Sequence, residues 1–232
     1  MKRFDDIRTI FVDLDDTIWD FTANSKVALK AVYERYQLDN QCSYDVFIKE
    51  YLLINEQLWS LYHHGKIEKD FLKRERFRAS FERCGIICES PERFDYDYLE
   101  TIVTLKNVVA GAPKLLQHLK KRGSVNVLSN GFANLQFRKL QSAGLDRYID
   151  LMVLSDDIGV TKPDKRLFDY ALEKAKANAE TTLMIGDNYD ADILGAYNAG
   201  WKTIFFNRRG ESIGNNVADL VVQSLEEIIP YL

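Results

Sequence analysis

Ile10-Phe11-Val12 is an unbroken apolar run of β-formers, and it gives way at once to Asp13, Asp15 and Asp16. A run without polar alternation predicts a strand buried on both faces, as in the middle of a parallel sheet. From Thr22 to about Lys106 the period becomes helical. Phe47, Tyr51, Ile54, Leu58 and Leu61 are spaced four, three, four, three, which describes one helix face, with Ser43 as its N-cap and Gly65 as its stop. Ile67, Phe71, Phe77, Phe81 and Cys84 predict a second long helix, and shorter ones are expected near 25–36 and 95–106. Four such helices make a small bundle.

After Gly111-Ala112-Pro113 the rhythm alternates: helix 113–121, strand 124–129, helix 133–142, strand 151–155, helix 164–177, strand 181–186, helix 190–199, strand 202–206 and a short strand 219–222. Such alternation predicts an α/β, doubly wound parallel sheet of Rossmann-like type with helices on both faces. The first strand can bury its apolar run only in that sheet. Residues 1–18 and 108–232 are therefore expected to form the α/β core, with 19–107 inserted as a helical domain. Placing the first strand between those ending at 129 and 186 gives the order 3-2-1-4-5 with right-handed crossovers, and gathers the polar strand ends at one crevice.

Composition narrows the partners. The 232 residues are 46% hydrophobic, ample for a core, and 31 basic against 35 acidic residues give a net charge of −4. With no dense basic stripe, a nucleic-acid polymer is not an expected partner. No apolar run approaches the roughly 20 residues that span a bilayer. The start, Met1-Lys2-Arg3-Phe4-Asp5-Asp6, has acids where a secretory signal would be apolar, so a cytoplasmic location without membrane contact is expected. Cys42, Cys84 and Cys88 are odd in number and lack CxxC spacing, which predicts reduced, structural thiols. His63 and His64 diverge by about 100° on a helix and do not share a metal, and His118 reads as a surface residue.

The acids need an explanation. On an extended strand Asp13 and Asp15 project to one side, and two charges about 4 Å apart at an effective dielectric of about 20 repel by about 4 kcal/mol. A cation, a proton or solvent must relieve this, although an acidic pair also opens ordinary turns. Asp187, Asp190 and Asp192 end the strand 181–186 and would crowd the same crevice. A cluster of hard oxygen donors without His or Cys suits Mg²⁺. A phosphoryl group fits beside it. Ser129 offers a hydroxyl, Asn130 and Gly131 offer backbone N–H groups, Gly131 permits close approach, and Lys162 in Thr161-Lys162-Pro163-Asp164 offers a positive charge at a helix start. Each of these alone reads as a turn or a surface residue; their joint placement at strand ends carries the reading.

Asp13-x-Asp15-x-Thr17, Ser129-Asn130, Lys162-Pro163 and Gly186-Asp187-x4-Asp192 together resemble the four motifs of the haloacid dehalogenase superfamily of phosphohydrolases, over the whole chain and including a helical cap after the first motif. The resemblance implies that Asp13 is the nucleophile of an aspartyl-phosphate mechanism and Asp15 the general acid and base. It implies Mg²⁺ held by Asp13, the backbone carbonyl of Asp15 and Asp187, with Asp192 in support. Thr17, Ser129 and Lys162 would position or neutralise the phosphoryl group, while Asp16 would only shape the turn and Asp190 would be exposed. Within the superfamily the acid at position 15 resembles a phosphatase or phosphomutase signature, against the dehalogenase branch, which lacks it, and the transport ATPases, which carry threonine there.

Asn55-x-x-Leu58-Trp59-x-x-Tyr62-x-x-Gly65 and Asn130-Gly131-Phe132-x-x-Leu135-Gln136 resemble the bacterial pyrimidine 5'-nucleotidase branch. That implies a small-molecule phosphomonoester as substrate, a nucleoside monophosphate, with specificity set by the cap and with the protein a monomer or weak homodimer. The alternatives are a phosphatase of sugar phosphates or other small phosphoesters, and a phosphate-binding module without chemistry. Trp19 and Phe21 are expected to line the pocket, and Trp59 and Tyr62 to fill the cap's own core.

Overall fold

Six parallel strands carry the sheet in the computed structural model, which describes residues 4–232. The reading of the chain's first residues therefore lies partly outside the described residues. The strands are β1 (Thr9–Val12), β2 (Ser124–Ser129), β3 (Leu151–Leu154), β4 (Thr182–Gly186), β5 (Lys202–Phe206) and β6 (Leu220–Val222), in the spatial order β3-β2-β1-β4-β5-β6. The expected order 3-2-1-4-5 is found, with β6 added at the edge beyond β5. β1 is buried along its whole length and paired on both sides, Thr9 with Ser124 of β2 and with Thr182 of β4. Its unbroken apolar run follows from that position.

The chain divides into two compact units: a sheet unit comprising the segment up to Phe21 together with Lys106–Leu232, and a helical unit of Thr22–Leu105. The helices are α1 (Phe21–Arg35), α2 (Tyr44–His63), α3 (Lys69–Cys84) and α4 (Pro91–Ile102), followed in the sheet unit by α5 (Ala112–Leu119), α6 (Ala133–Ala143), α7 (Lys165–Ala175) and α8 (Gly195–Asn198). In the sheet unit Phe11, Leu128, Val153 and Met184 from the strands pack under Leu167, Phe168 and Trp201. At about 1.5–3 kcal/mol for each large apolar side chain buried, these residues hold the strands in register beneath the site. Where the sheet unit is interrupted, its two ends lie side by side as a short antiparallel ribbon. Asp20 N–H donates to Asn107 O at 3.1 Å, Val109 N–H donates to Ile18 O at 3.1 Å, and Trp19 bridges Val108.

The helical unit is built on aromatic packing. Tyr51 stacks on Phe77 with centroids 4.9 Å apart, Phe47 stacks on Phe81 at 5.8 Å, and Phe94 meets Phe77 edge-on at 4.9 Å. Several expectations for this unit are corrected. Trp59 and Tyr62 do not fill its core; they are half-buried and pack edge-on against each other at 5.8 Å. Leu61 is 37% exposed, past the buried residues of α2, which end at Leu58, and Phe71 is 40% exposed because the buried face of α3 runs through Leu72, Arg76, Phe77, Ser80 and Phe81. Two of those positions are polar, so apolar spacing alone could not mark the face. Ser43 occupies the N-cap of α2 without a side-chain capping bond, and Gly65 follows the helix at φ +64°, where a glycine is at ease.

Candidate active site

The polar ends of β1, β2 and β4 converge at the carboxyl edge of the sheet. Asp13 N–H donates to Ile185 O at 2.9 Å, extending the β1–β4 pairing one residue past the strand and fixing the Asp13 backbone. The chain then folds back, with Ile18 and Trp19 N–H both donating to Leu14 O at 3.1 and 2.9 Å. Asp16 takes φ +60° in this turn, a left-handed conformation that Asp tolerates, and its carboxylate lies 4.0 Å from Arg209. Asp190 is exposed.

Lys162 is buried, and its three ammonium protons are all engaged. Nζ donates to Asp13 Oδ1 at 2.6 Å, Asp192 Oδ1 at 2.6 Å and Leu128 O at 2.7 Å. Asn130 fixes the Lys162 backbone from both sides, accepting Lys162 N–H at 2.7 Å on Oδ1 and donating Nδ2 to Lys162 O at 3.0 Å. Asp192 sits in a π-helical turn, Tyr189–Leu194, capped by Asn188, whose Oδ1 accepts Ala191 N–H at 2.9 Å. Gly186 gives it room, since a Cβ there would stand 2.2 Å from Asp192 Oδ2.

Carboxylate oxygens of Asp13, Asp187 and Asp192 lie within 4.8 Å of one another. Burial pushes the Asp13 carboxyl up to about 7; Lys162 pulls it back, and Asp192 adds to the rise. Burial, reinforced by the charges of Asp13 and Asp192, also holds Asp187 well above the usual carboxylate range. Lys162 keeps its proton: burial works against the ammonium, but Asp13 and Asp192 outweigh it and raise its pKa. Three carboxylates thus face one ammonium, and the cluster is short of positive charge. Its donors are all hard oxygens, so a divalent cation such as Mg²⁺ fits the deficit and a thiol- or imidazole-seeking metal does not.

Four residues take places different from those the sequence suggests. The Thr17 hydroxyl is fully buried and serves Asp187, donating to Oδ1 at 3.1 Å and accepting Asp187 N–H at 3.1 Å. Gly131 N–H is already given to Ser129 Oγ at 3.1 Å, and a Cβ on Gly131 would meet Gln136 Nε2 at 2.1 Å. The missing side chain therefore makes room for Gln136 rather than for a ligand. Asn130 acts through its side chain on Lys162, as described. Trp19 is 0% exposed and offers no surface to a pocket; of the two aromatics after β1, only Phe21 is partly open. Ser129 Oγ accepts from Gly131 and from Gln136 Nε2 at 2.7 Å, which leaves its own proton to donate.

Of two further residues of α6, Lys139 lies outside the motifs and Gln136, which closes the Asn130–Gln136 pattern, had no role assigned from it. Lys139 Nζ lies 2.8 and 3.0 Å from the two carboxylate oxygens of Asp15, and Gln136 Nε2 donates to Asp15 Oδ2 at 2.9 Å. The Asp15 side chain is thus turned to α6. Both donors stand on the buried face of α6, beside Leu135 and Leu140.

The haloacid dehalogenase-like hydrolase family matches residues 7–200 of the chain. The chain is 32% identical to pyrimidine 5'-nucleotidase YjjG of Escherichia coli over 221 residues, covering 94% of this chain and 95% of that protein. It is 31% identical to the glyceraldehyde 3-phosphate phosphatase of Pyrococcus furiosus over 206 residues, 86% and 80% of the two chains. Among solved structures, the HAD-hydrolase YfnB of Bacillus subtilis, determined with bound magnesium, superposes with a TM-score of 0.87 at 28% identity and 96% coverage of both chains.

Proposed function

Because the chain belongs to the haloacid dehalogenase-like hydrolases, we propose that it is a Mg²⁺-dependent phosphomonoesterase acting through an aspartyl-phosphate, and that its substrates are nucleoside 5'-monophosphates, pyrimidine ones foremost. The similarity to a pyrimidine 5'-nucleotidase over nearly the full length of both chains carries the substrate reading. In this proposal an Asp13 oxygen attacks phosphorus, the bond to the ester oxygen breaks, and Asp15 gives that oxygen a proton. Asp15 then takes a proton from the water that hydrolyses the aspartyl-phosphate and frees inorganic phosphate.

The chain's own residues supply the positioning such transfer needs. Lys162, held by Asn130 and charged by its two carboxylates, keeps Asp13 fixed and sets a positive charge beside the incoming phosphoryl group. Ser129 has a hydroxyl proton to donate to a phosphoryl oxygen. Asp13 and Asp187, with Asp192 behind them and the Asp15 carbonyl, would hold Mg²⁺, which would keep Asp13 ionised and offset phosphoryl charge.

A phosphatase of small sugar phosphates is the second reading, favoured by the likeness to a glyceraldehyde 3-phosphate phosphatase. Phosphate release from a panel of nucleoside monophosphates and sugar phosphates, with Mg²⁺ and with chelator, separates the two. The expected result is Mg²⁺-dependent turnover with higher kcat/KM on nucleoside monophosphates, abolished in Asp13→Asn. Equal turnover of sugar phosphates sinks the nucleotidase reading, and full activity of Asp13→Asn removes the nucleophile.

A further inference from the structure

We propose that Lys139, together with Gln136, is a positioning residue that aims the Asp15 carboxylate, an inference that rests on the reading of Asp15 as the proton donor to the leaving group. Three N–H···O bonds reach this carboxylate from one helix: Lys139 Nζ to Oδ1 at 2.8 Å and to Oδ2 at 3.0 Å, and Gln136 Nε2 to Oδ2 at 2.9 Å. The two donors are three residues apart and so share a face of α6, which makes the pair a rigid fork. Both oxygens of Asp15 are held, and its side-chain torsions are fixed with them.

The surroundings fix the fork in turn. The Lys139 ammonium lies 4.9 Å from the Trp19 ring centroid and 5.4 Å from that of Phe21, so two aromatic rings attract the cation. Gln136 is fully buried, its Nε2 also donates to Ser129 Oγ at 2.7 Å, and its Oε1 meets no partner among the described residues. The amide is committed to Asp15 and Ser129 even at the cost of a buried acceptor left unpaired. Gly131 belongs to the same device, since any Cβ there would push Gln136 away.

Stability does not account for Lys139. Burying an ion pair costs desolvation that its own attraction barely returns, and apolar side chains in place of both Lys139 and Asp15 would serve the fold as well. What the ammonium and the amide add is direction, and misplacement of a reacting group by about 1 Å can cost on the order of 100-fold in rate.

The test compares kcat/KM on two substrates in the presence of Mg²⁺. A nucleoside monophosphate leaves as an alkoxide and needs the proton; p-nitrophenyl phosphate leaves as a stabilised phenolate and does not. Asp15→Asn is the reference. Lys139→Met and Gln136→Leu are each expected to lower kcat/KM on the nucleoside monophosphate about tenfold or more while leaving p-nitrophenyl phosphate within about threefold. Equal losses on both substrates in variants with wild-type Tm overturn the inference, as does unchanged kcat/KM on both. If Lys139→Met fails to fold, Gln136→Leu decides. If Asp15→Asn shows no leaving-group dependence, the reading of Asp15 fails and takes the inference with it; if Asp15→Asn discriminates and the α6 variants do not, only the inference falls.

Discussion

Removing the Lys162 ammonium would leave Asp13 and Asp192, each 2.6 Å from it now, facing each other in a buried place. Lys162→Met is therefore expected to abolish hydrolysis and, in chelator, to cost about 3–5 kcal/mol in urea unfolding; an unchanged midpoint would show that the carboxylates do not depend on the lysine. Asn130→Ala should act less severely, through the Lys162 backbone that Asn130 clamps. We expect about 1–3 kcal/mol of lost stability and a fall in kcat with KM little changed, and a kcat equal to wild type would reduce Asn130 to a turn residue. Asp13, Lys162 and Asp187 were legible in the sequence because each stands where an apolar run stops or a helix starts. Lys139 was not, because Gln136-Phe137-Arg138-Lys139 reads as a solvated helix stretch and its carboxylate partner lies 124 positions away. The role of Gly131 was misread for the same reason, since its neighbour Gln136 meets it only once α6 has packed.

At the level of elements, the alternation of strands and helices after position 111 translated directly into the sheet, as parallel strands demand a crossover between each pair. The exception is the helix expected over 190–199, which is a π-helical turn, Tyr189–Leu194, followed by the short α8. A π turn inserts one residue into the helical period, and such an insertion leaves no trace in apolar spacing; its effect is local, setting Asp192 beside Lys162. α8 opens on Gly195, where a Cβ would stand 2.7 Å from the Phe168 ring and 3.0 Å from Pro163 Cα. Gly195→Ala should force α8 and α7 apart at about 1–3 kcal/mol of stability, and, because Pro163 follows Lys162, should lower kcat as well. A urea midpoint equal to wild type would show that Phe168 swings aside.

For the whole molecule, the ribbon of Ile18–Asp20 against Asn107–Val109 leaves the sheet unit with two adjoining ends. Replacing residues 22–105 with a short Gly/Ser linker is expected to give a folded sheet unit with cooperative unfolding, because a short loop is cheap to close. Loss of cooperativity would show that the sheet unit needs the helical one. The same arrangement bears on how the chain is made. β1 leaves the ribosome first among the strands, yet one neighbour begins at Ser124 and the other at Thr182. At about 5–20 residues per second, its apolar edges stay unpaired for many seconds while residues 22–105 can already close their local contacts. Assembly is thus expected to run bundle before sheet, and the strand that leads into Asp13 is the segment that a chaperone has the longest time to meet.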